Sequence, residues 1–286
     1  MKQGIDSPLS GLRVLDLSRI LAGPWASQLL GDLGADVVKV ERPGVGDDTR
    51  RWGPPFLKDR QGDDTRESAY YLCANRNKRS LAVDISSDAG QALLKKMGAT
   101  ADVLIENFRG GTLERYGLDY HRLKEVNPGL VYCSITAVGQ DGPEAAAPGY
   151  DAMIQARGGL MSITGVADGQ PGQGPQKVGV AMADLTTGMY AASAIQAALL
   201  ARYRTGEGQH IDMALFDSQV AMLANQASNY LVGGQVPGRM GTAHPNIVPY
   251  QAFATADGHL MLAVGNDRQF ARLVSAMGLP DLADEP

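Results

Sequence analysis

The side chains best placed for chemistry are one aspartate, a run of cations and a tyrosine–aspartate pair. Asp184 stands where a Gly/Pro-rich loop (164–176) gives way to a long helix (185–204) with a broad apolar face. A carboxylate at such a junction accepts hydrogen bonds from the orphan N–H groups of the first turn, so a helix cap is the plain reading of its type and place. The same N–H groups and the positive helix end favour an ionised carboxylate and can donate to an oxyanion forming beside it. Arg76, Lys78 and Arg79 form a basic cluster in a chain of net charge −5. Arginine forks suit phosphate oxygens, although each of these cations taken singly reads as a solvated surface charge. Tyr150 and Asp151 open another helical stretch, where an aromatic and a capping acid are ordinary. The four histidines, His121, His210, His244 and His259, lack metal-ligand spacing and read as structural or surface residues, so no metal is expected. Cys73 and Cys133 lie in apolar stretches outside any CxxC pair, which reads as buried free thiols in a reducing compartment.

The elements that must position these residues alternate regularly. Short, nearly continuous apolar runs at 12–17, 35–40, 80–85, 101–105 and 130–136 read as strands, with helical pattern at 25–33, 89–97, 112–116 and 121–126. Such alternation indicates a parallel sheet covered on both faces, an α/β fold with a Rossmann-like doubly wound domain. Ligands then bind at the carboxyl ends of the strands, here 18–23, 41–44, 106–111 and 137–142. The polar stretch 42–68 reads as the longest loop, a candidate lid. Further on, helices are expected at 150–160, 185–204, 215–231 and 268–277, a strand at 210–214, and a hairpin at 250–255 and 259–264. The division that follows is a large domain over 1–232, a Gly/Pro-rich linker over 233–249, and the beginning of a smaller α+β domain over 250–286.

Composition narrows the function. Hydrophobic residues make up 44 % of 286 and charged residues 20 %, enough for a sizeable core. The acidic balance, without long runs of one sign, argues against a nucleic-acid or membrane-surface partner. The first strand is not followed by G-x-G-x-x-G, and no G-x-x-x-x-G-K-[ST] occurs, which disfavours dinucleotide and nucleoside-triphosphate enzymes. Residues 1–11 contain no apolar signal segment, and the stretch 188–201 is too short and alanine-rich to span a bilayer, so a cytoplasmic, soluble protein is expected.

Several segments, in order and over nearly the whole chain, resemble the family III CoA-transferases, the group of formyl-CoA transferase, carnitine CoA-transferase and α-methylacyl-CoA racemase. They are 9–50 (LSGLRVLDLSRILAGPWASQLLGDLGADVVKVERPGVGDDTR), 75–85 (NRNKRSLAVDI), 101–120 (ADVLIENFRGGTLERYGLDY), 148–159 (PGYDAMIQARGG), 183–218 (beginning ADLTTG) and 244–258 (HPNIVPYQAFATADG). The resemblance implies an acyl-CoA:carboxylate CoA-transferase with Asp184 as the covalent nucleophile. It implies that the large domain binds CoA, a substrate and not a prosthetic group, through Arg19, Ile20, Leu21, Ala22, Arg42, Asn107, Phe108 and Arg115; the cluster Arg76, Lys78 and Arg79 is expected, from its own charge, to add phosphate ligands. Tyr150 and Asp151 match residues near the active site and are expected to position substrate. The family's racemases carry a histidine in the segment matched by 148–152, where this chain has Tyr150 and Asp151. Racemisation needs an acid and a base on opposite faces, so transferase is favoured over racemase or epimerase. A non-catalytic CoA-binding subunit is the third reading. Arg239, with His244 nearby, is the candidate grip for an acceptor carboxylate, which would suit a dicarboxylic acid. The resemblance further implies an interlocked homodimer. Family members continue well past the point matched by Glu285 and Pro286, so the chain is expected to be a fragment or a short form.

Overall fold

The computed structural model describes residues 7–284. The first six residues, part of the segment read as lacking a signal peptide, and Glu285 and Pro286 lie outside them. Along the chain, β1 (Arg13–Asp16) leads to α1 (Ala22–Asp32) and β2 (Asp36–Glu41). A 3-10 turn (Asp48–Arg51) and the hairpin of β3 (Phe56–Lys58) and β4 (Asp64–Ser68) follow, then α2 (Ala69–Ala74) and β5 (Lys78–Ala82). The alternation continues through α3 (Asp88–Gly98), β6 (Val103–Glu106), α4 (Thr112–Tyr116), α5 (Tyr120–Val126) and β7 (Val131–Thr136). Next come α6 (Asp151–Arg157), α7 (Leu160–Ile163), α8 (Met182–Thr205), β8 (His210–Ala214), α9 (Leu215–Ala221) and α10 (Ala224–Gly233). The antiparallel pair β9 (Tyr250–Ala254) and β10 (His259–Ala263), the helix α11 (Asp267–Ala276) and a 3-10 turn (Pro280–Ala283) complete the order.

Six strands form one parallel sheet in the order β5-β2-β1-β6-β7-β8. Counted by their appearance in the sheet this is 3-2-1-4-5-6, the doubly wound order, with its topological switch point between β1 and β6. Alternate residues of each strand enter different cores. Val14, Val37, Val103, Ile105, Val131 and Cys133 pack on one face with Ala22, Ala26 and Leu30 of α1 and Ala191, Ala192 and Ile195 of α8. Leu15, Val40, Leu104 and Tyr132 pack on the other with Leu94 of α3, Leu113 of α4 and Leu123 of α5. Both faces being covered explains why the strands read as continuous apolar runs and not as alternation.

Two compact units divide the chain, one of residues 1–158 with 179–222, the other of 159–178 with 223–286. The sequence division placed 159–178 and 223–232 in the large domain and read 233–249 as a linker; the structure assigns all three to the second unit. The helix expected over 215–231 stops at Ala221, and a separate helix, α10, opens with Ala224 at φ 42. The helix expected over 150–160 likewise ends at Arg157, because Gly158 and then Gly159, at φ 85, turn the chain. The second unit by itself holds α7, α10, the β9–β10 hairpin and α11, an α+β set. Within it, Gly241 N–H donates to Gly165 O at 3.1 Å, tying its two chain segments together. The stretch 42–68, expected as one long loop, contains the 3-10 turn and the β3–β4 hairpin. Its strands of three and five residues are too short and polar to show a strand period.

Candidate active site

Asp184 is the third residue of α8, which begins at Met182, three residues earlier than the sequence pattern suggests. It is therefore not the helix cap. The capping group is Asp151, the first residue of α6: its Oδ1 accepts from Ala183 N–H at 2.7 Å and from Asp184 N–H at 3.3 Å. Oδ2 of Asp151 accepts from Gln155 Nε2 at 2.7 Å. The expected favour of the helix end is thus spent on a neighbouring carboxylate. Among the described residues, the carboxylate of Asp184 has no hydrogen-bond or ion-pair partner. Burial, and then the charge of Asp151, push its pKa up from 3.8 to about 7. The result is a partly buried, basic and unengaged carboxylate, the state that a nucleophile needs.

Asp184 lines a cavity of about 300 Å³ together with Ile20, Leu21, Ala22, Phe108 and Tyr150. The cavity lies at the carboxyl ends of β1 and β6, where a doubly wound sheet opens. Its width is set by the packing of α1 on α8. Gly188 lies one turn after Asp184 on the same face, and a Cβ there would stand 2.7 Å from Ala22 O and 2.9 Å from Trp25 Cβ. Only glycine permits this approach, which brings the start of α1 beside Asp184. A larger cavity of about 580 Å³ is lined by Arg19, Lys39, Glu41, Arg42, Asp84 and Phe108, among others. Arg19 and Phe108 line both spaces. The two cavities are therefore adjacent.

Lys39, Glu41 and Asp47, on the wall of the larger cavity, belong to a buried ionic network. Lys39, whose side chain is 1 % exposed, pairs with Asp47 at 2.9 Å and donates to Ser18 O at 2.8 Å. Burial works against the ionisation of Asp16, but Lys78, Lys39 and the hydroxyls of Ser18 and Ser27 outweigh it and hold the pKa at about 2. Glu41 is gripped by Arg50 through two bonds of 2.7 and 2.9 Å and by the Tyr71 hydroxyl at 2.7 Å. Lys39 and Glu41 are thereby neutralised in place. Arg42, exposed and with no ion-pair partner among the described residues, is the cation that the larger cavity offers to an anion.

The remaining expectations divide. Arg19 stacks its guanidinium over Phe108 at 5.5 Å and pairs with Asp48 at 3.2 Å. Tyr150 is 67 % exposed at the cavity mouth. The side chain of Asn107 is committed to protein backbone: its Oδ1 accepts from Arg19 N–H at 2.9 Å and its Nδ2 donates to Arg19 O at 2.7 Å. Arg76, Lys78 and Arg79 do not form a phosphate cluster. Arg76 bonds Asp32, Arg79 bonds Asp36, and Lys78 is buried against Asp16, Pro24 O and Asn75. Lys78 and Arg79 are successive residues of a strand, which turns neighbours to opposite faces, and each meets its own carboxylate. Arg115 is exposed on α4 and lines neither cavity. Cys133 is buried as expected, but Cys73 is exposed. In the second unit, Arg239 is bound to Asp168 and donates to Val166 O and Ser162 O, so its guanidinium is already engaged. His244 Nδ1 accepts from Asn246 N–H at 3.1 Å and its ring packs on Tyr250. Among the described residues no group of three His, Cys, Asp or Glu could hold a metal.

Sequence reasoning missed Tyr70. Burial first, then the charges of Asp184, Cys73 and Asp151, push its phenol up to about 12, so it stays neutral. Trp52 braces it edge-on, with ring centroids 5.0 Å apart. One aromatic within a short apolar helix carries no signal of such a role.

Comparison with known proteins identifies the family. The profile of CoA-transferase family III matches residues 9–286. The succinate–glutarate CoA-transferase of Agrobacterium fabrum is 56 % identical over 278 residues, covering 97 % of this chain and 68 % of that protein. Human succinyl-CoA:glutarate CoA-transferase is 50 % identical over 277 residues, covering 97 % of this chain and 61 % of that protein. The chain thus spans between 61 % and 68 % of the length of these relatives. The crystal structure of a CAIB/BAIF family protein from Brucella suis superposes with a TM-score of 0.86 at 53 % identity, over 98 % of this chain and 72 % of that one. The match along the profile, a relative more than half identical, and a shared backbone agree: this chain belongs to CoA-transferase family III.

Proposed function

We propose that this protein transfers CoA from a donor acyl-CoA to an acceptor carboxylic acid through an aspartyl-CoA thioester on Asp184. The observation that carries this reading is the unengaged carboxylate of Asp184 in a cavity at the sheet's switch point. An Oδ of the ionised Asp184 attacks the thioester carbonyl carbon; the C–S bond breaks and the CoA thiolate leaves, giving a mixed anhydride. The thiolate attacks the aspartyl carbonyl carbon, the donor acid departs as its carboxylate, and aspartyl-CoA remains. The acceptor carboxylate then attacks the aspartyl carbonyl and expels the thiolate, which attacks the acceptor's acyl carbon and restores Asp184. Each step exchanges one activated acyl bond for another, so shielding from water matters more than driving force. The raised basicity of Asp184 favours nucleophilic attack at neutral pH.

CoA enters as a substrate. Its thioester end fits the smaller cavity with Asp184, and its anionic end the larger cavity with Arg42 and Arg19. The names of the two relatives support a short dicarboxylic acid, succinate or glutarate, as donor or acceptor. With Arg239 held by Asp168, a grip on the far carboxylate through Arg239 would require that pair to open. We further propose a homodimer, supported by an apolar groove of Tyr190, Ala194, Ala197, Met213 and Ala221 along α8, β8 and α9, and a cytoplasmic location. No helix among the described residues is long and apolar enough to cross a membrane. The test is incubation with succinyl-CoA and a panel of carboxylic acids, followed by mass spectrometry of the peptide holding Asp184. A CoA adduct on that residue is expected; full transfer by Asp184→Ala would end the covalent reading.

A further inference from the structure

The loop between β1 and α1 contains a backbone conformation that its sequence does not favour. Ile20 has φ 70, in the left-handed region. A β-branched side chain there clashes with its own backbone, so such residues persist only where the surroundings over-determine them. The surroundings do so here. Asp47 accepts from Ile20 N–H at 3.3 Å, and Asp47 is itself fixed by the buried Lys39 and by Thr49. One residue earlier, the side-chain amide of Asn107 bonds both the N–H and the C=O of Arg19. Asn107 follows β6 directly, so this double bond crosses the switch point of the sheet, the place where the two halves of the fold diverge. Immediately after Ile20, Leu21 and Ala22 begin α1 and line the cavity of Asp184.

We propose that Asn107 is a positioning residue for the transfer reaction, acting as a latch that holds Ile20 left-handed and so fixes the start of α1 against Asp184. This rests on the transfer reading above. Without the latch, Ile20 relaxes to φ below zero, the loop swings, and the wall opposite the nucleophile moves. A side chain that touched CoA directly would instead contribute to binding.

The experiment compares the full-length wild type with Asn107→Ala, Asn107→Asp and the double variant Asn107→Ala/Ile20→Gly. Glycine accepts a positive φ without strain, so it restores what the latch enforces. The expected result for Asn107→Ala is a fall in kcat of about tenfold or more with KM for succinyl-CoA within about twofold, since small displacements near a reacting centre cost rate. Asn107→Asp keeps the acceptor for Arg19 N–H and loses the donor, so its kcat falls between wild type and Asn107→Ala. The double variant recovers kcat by about threefold or more over Asn107→Ala, a coupling between two sites that share one conformation. Hydrogen–deuterium exchange of residues 18–23 quickens in Asn107→Ala and slows again in the double variant. A raised KM with intact kcat, a double variant no better than Asn107→Ala, or unchanged exchange would each overturn the latch. Failure of the transfer reading shows separately, as a wild type without any CoA adduct on Asp184, before a variant is made.

Discussion

Replacing Asp184 by asparagine should stabilise the protein, and should do so more as the pH rises. The folded-state pKa of Asp184 is raised from 3.8 to about 7, by burial first and then by Asp151. Between those two values the folded protein binds more protons than the unfolded chain, so stability falls as the pH rises through this window and levels off above pH 7. The full shift corresponds to about 4 kcal/mol. Asp184 still faces a cavity, and water there screens it, so about 2 kcal/mol is the expected share at pH 8. Asparagine has no charge to desolvate and escapes this loss. Urea unfolding of wild type and Asp184→Asn should show nearly equal stability at pH 4.5 and a gap of about 2 kcal/mol at pH 8, with transfer activity abolished in the variant. A gap of the same size at both pH values would refute the reasoning, because it would show that asparagine acts by shape and not by removing a buried charge.

Other outcomes follow from the same geometry. The kcat/KM of the transfer reaction should fall below pH 7 with an apparent pKa near 7, as Asp184 takes up the proton that silences it; a profile flat from pH 5 to 8 would contradict this. Asp151→Asn removes the neighbouring charge, so the acid limb should move to lower pH, while loss of the charged cap on α8 costs about 1 kcal/mol in thermal unfolding. Gly188→Ala places a Cβ 2.7 Å from Ala22 O, so α1 must move from α8 at a cost of about 1–3 kcal/mol, with kcat falling more than KM rises. Lys39→Met leaves Asp47 buried and unpaired, so about 3–5 kcal/mol should be lost in denaturant unfolding.

These predictions describe a site that combines tight packing with electrostatic strain. The carboxylate of Asp184 is unusual less for its burial than for what it lacks. Asp151 takes the helix N–H groups that would otherwise stabilise its charge. Nearby, other carboxylates are fully engaged: Asp16 by two lysines and two hydroxyls, Asp47 by Lys39 and Thr49, Glu41 by Arg50 and Tyr71. That network thus keeps its acids ionised and fixed, whereas Asp184 is left basic and available.

The sequence by itself was enough for the central sheet. Strands buried on both faces must be apolar throughout, and that pattern survives in a single chain, so the parallel α/β sheet and the loops at its strand ends were legible. The matched order of motifs singled out Asp184 for the same reason: a residue type at a place in a pattern is a local property. What the sequence could not carry was partnership between distant residues. Arg76, Lys78 and Arg79 look alike and lie together in the chain, yet each meets an acid from a different element. Asp184 looked like a cap until Asp151, 33 residues away, took that place. Asn107 looked like a ligand residue until its amide closed on Arg19, 88 residues away. Local pattern reports what a segment can bury; which charges neutralise each other, and which one is left free to react, is decided only when the folded chain brings them within hydrogen-bonding distance.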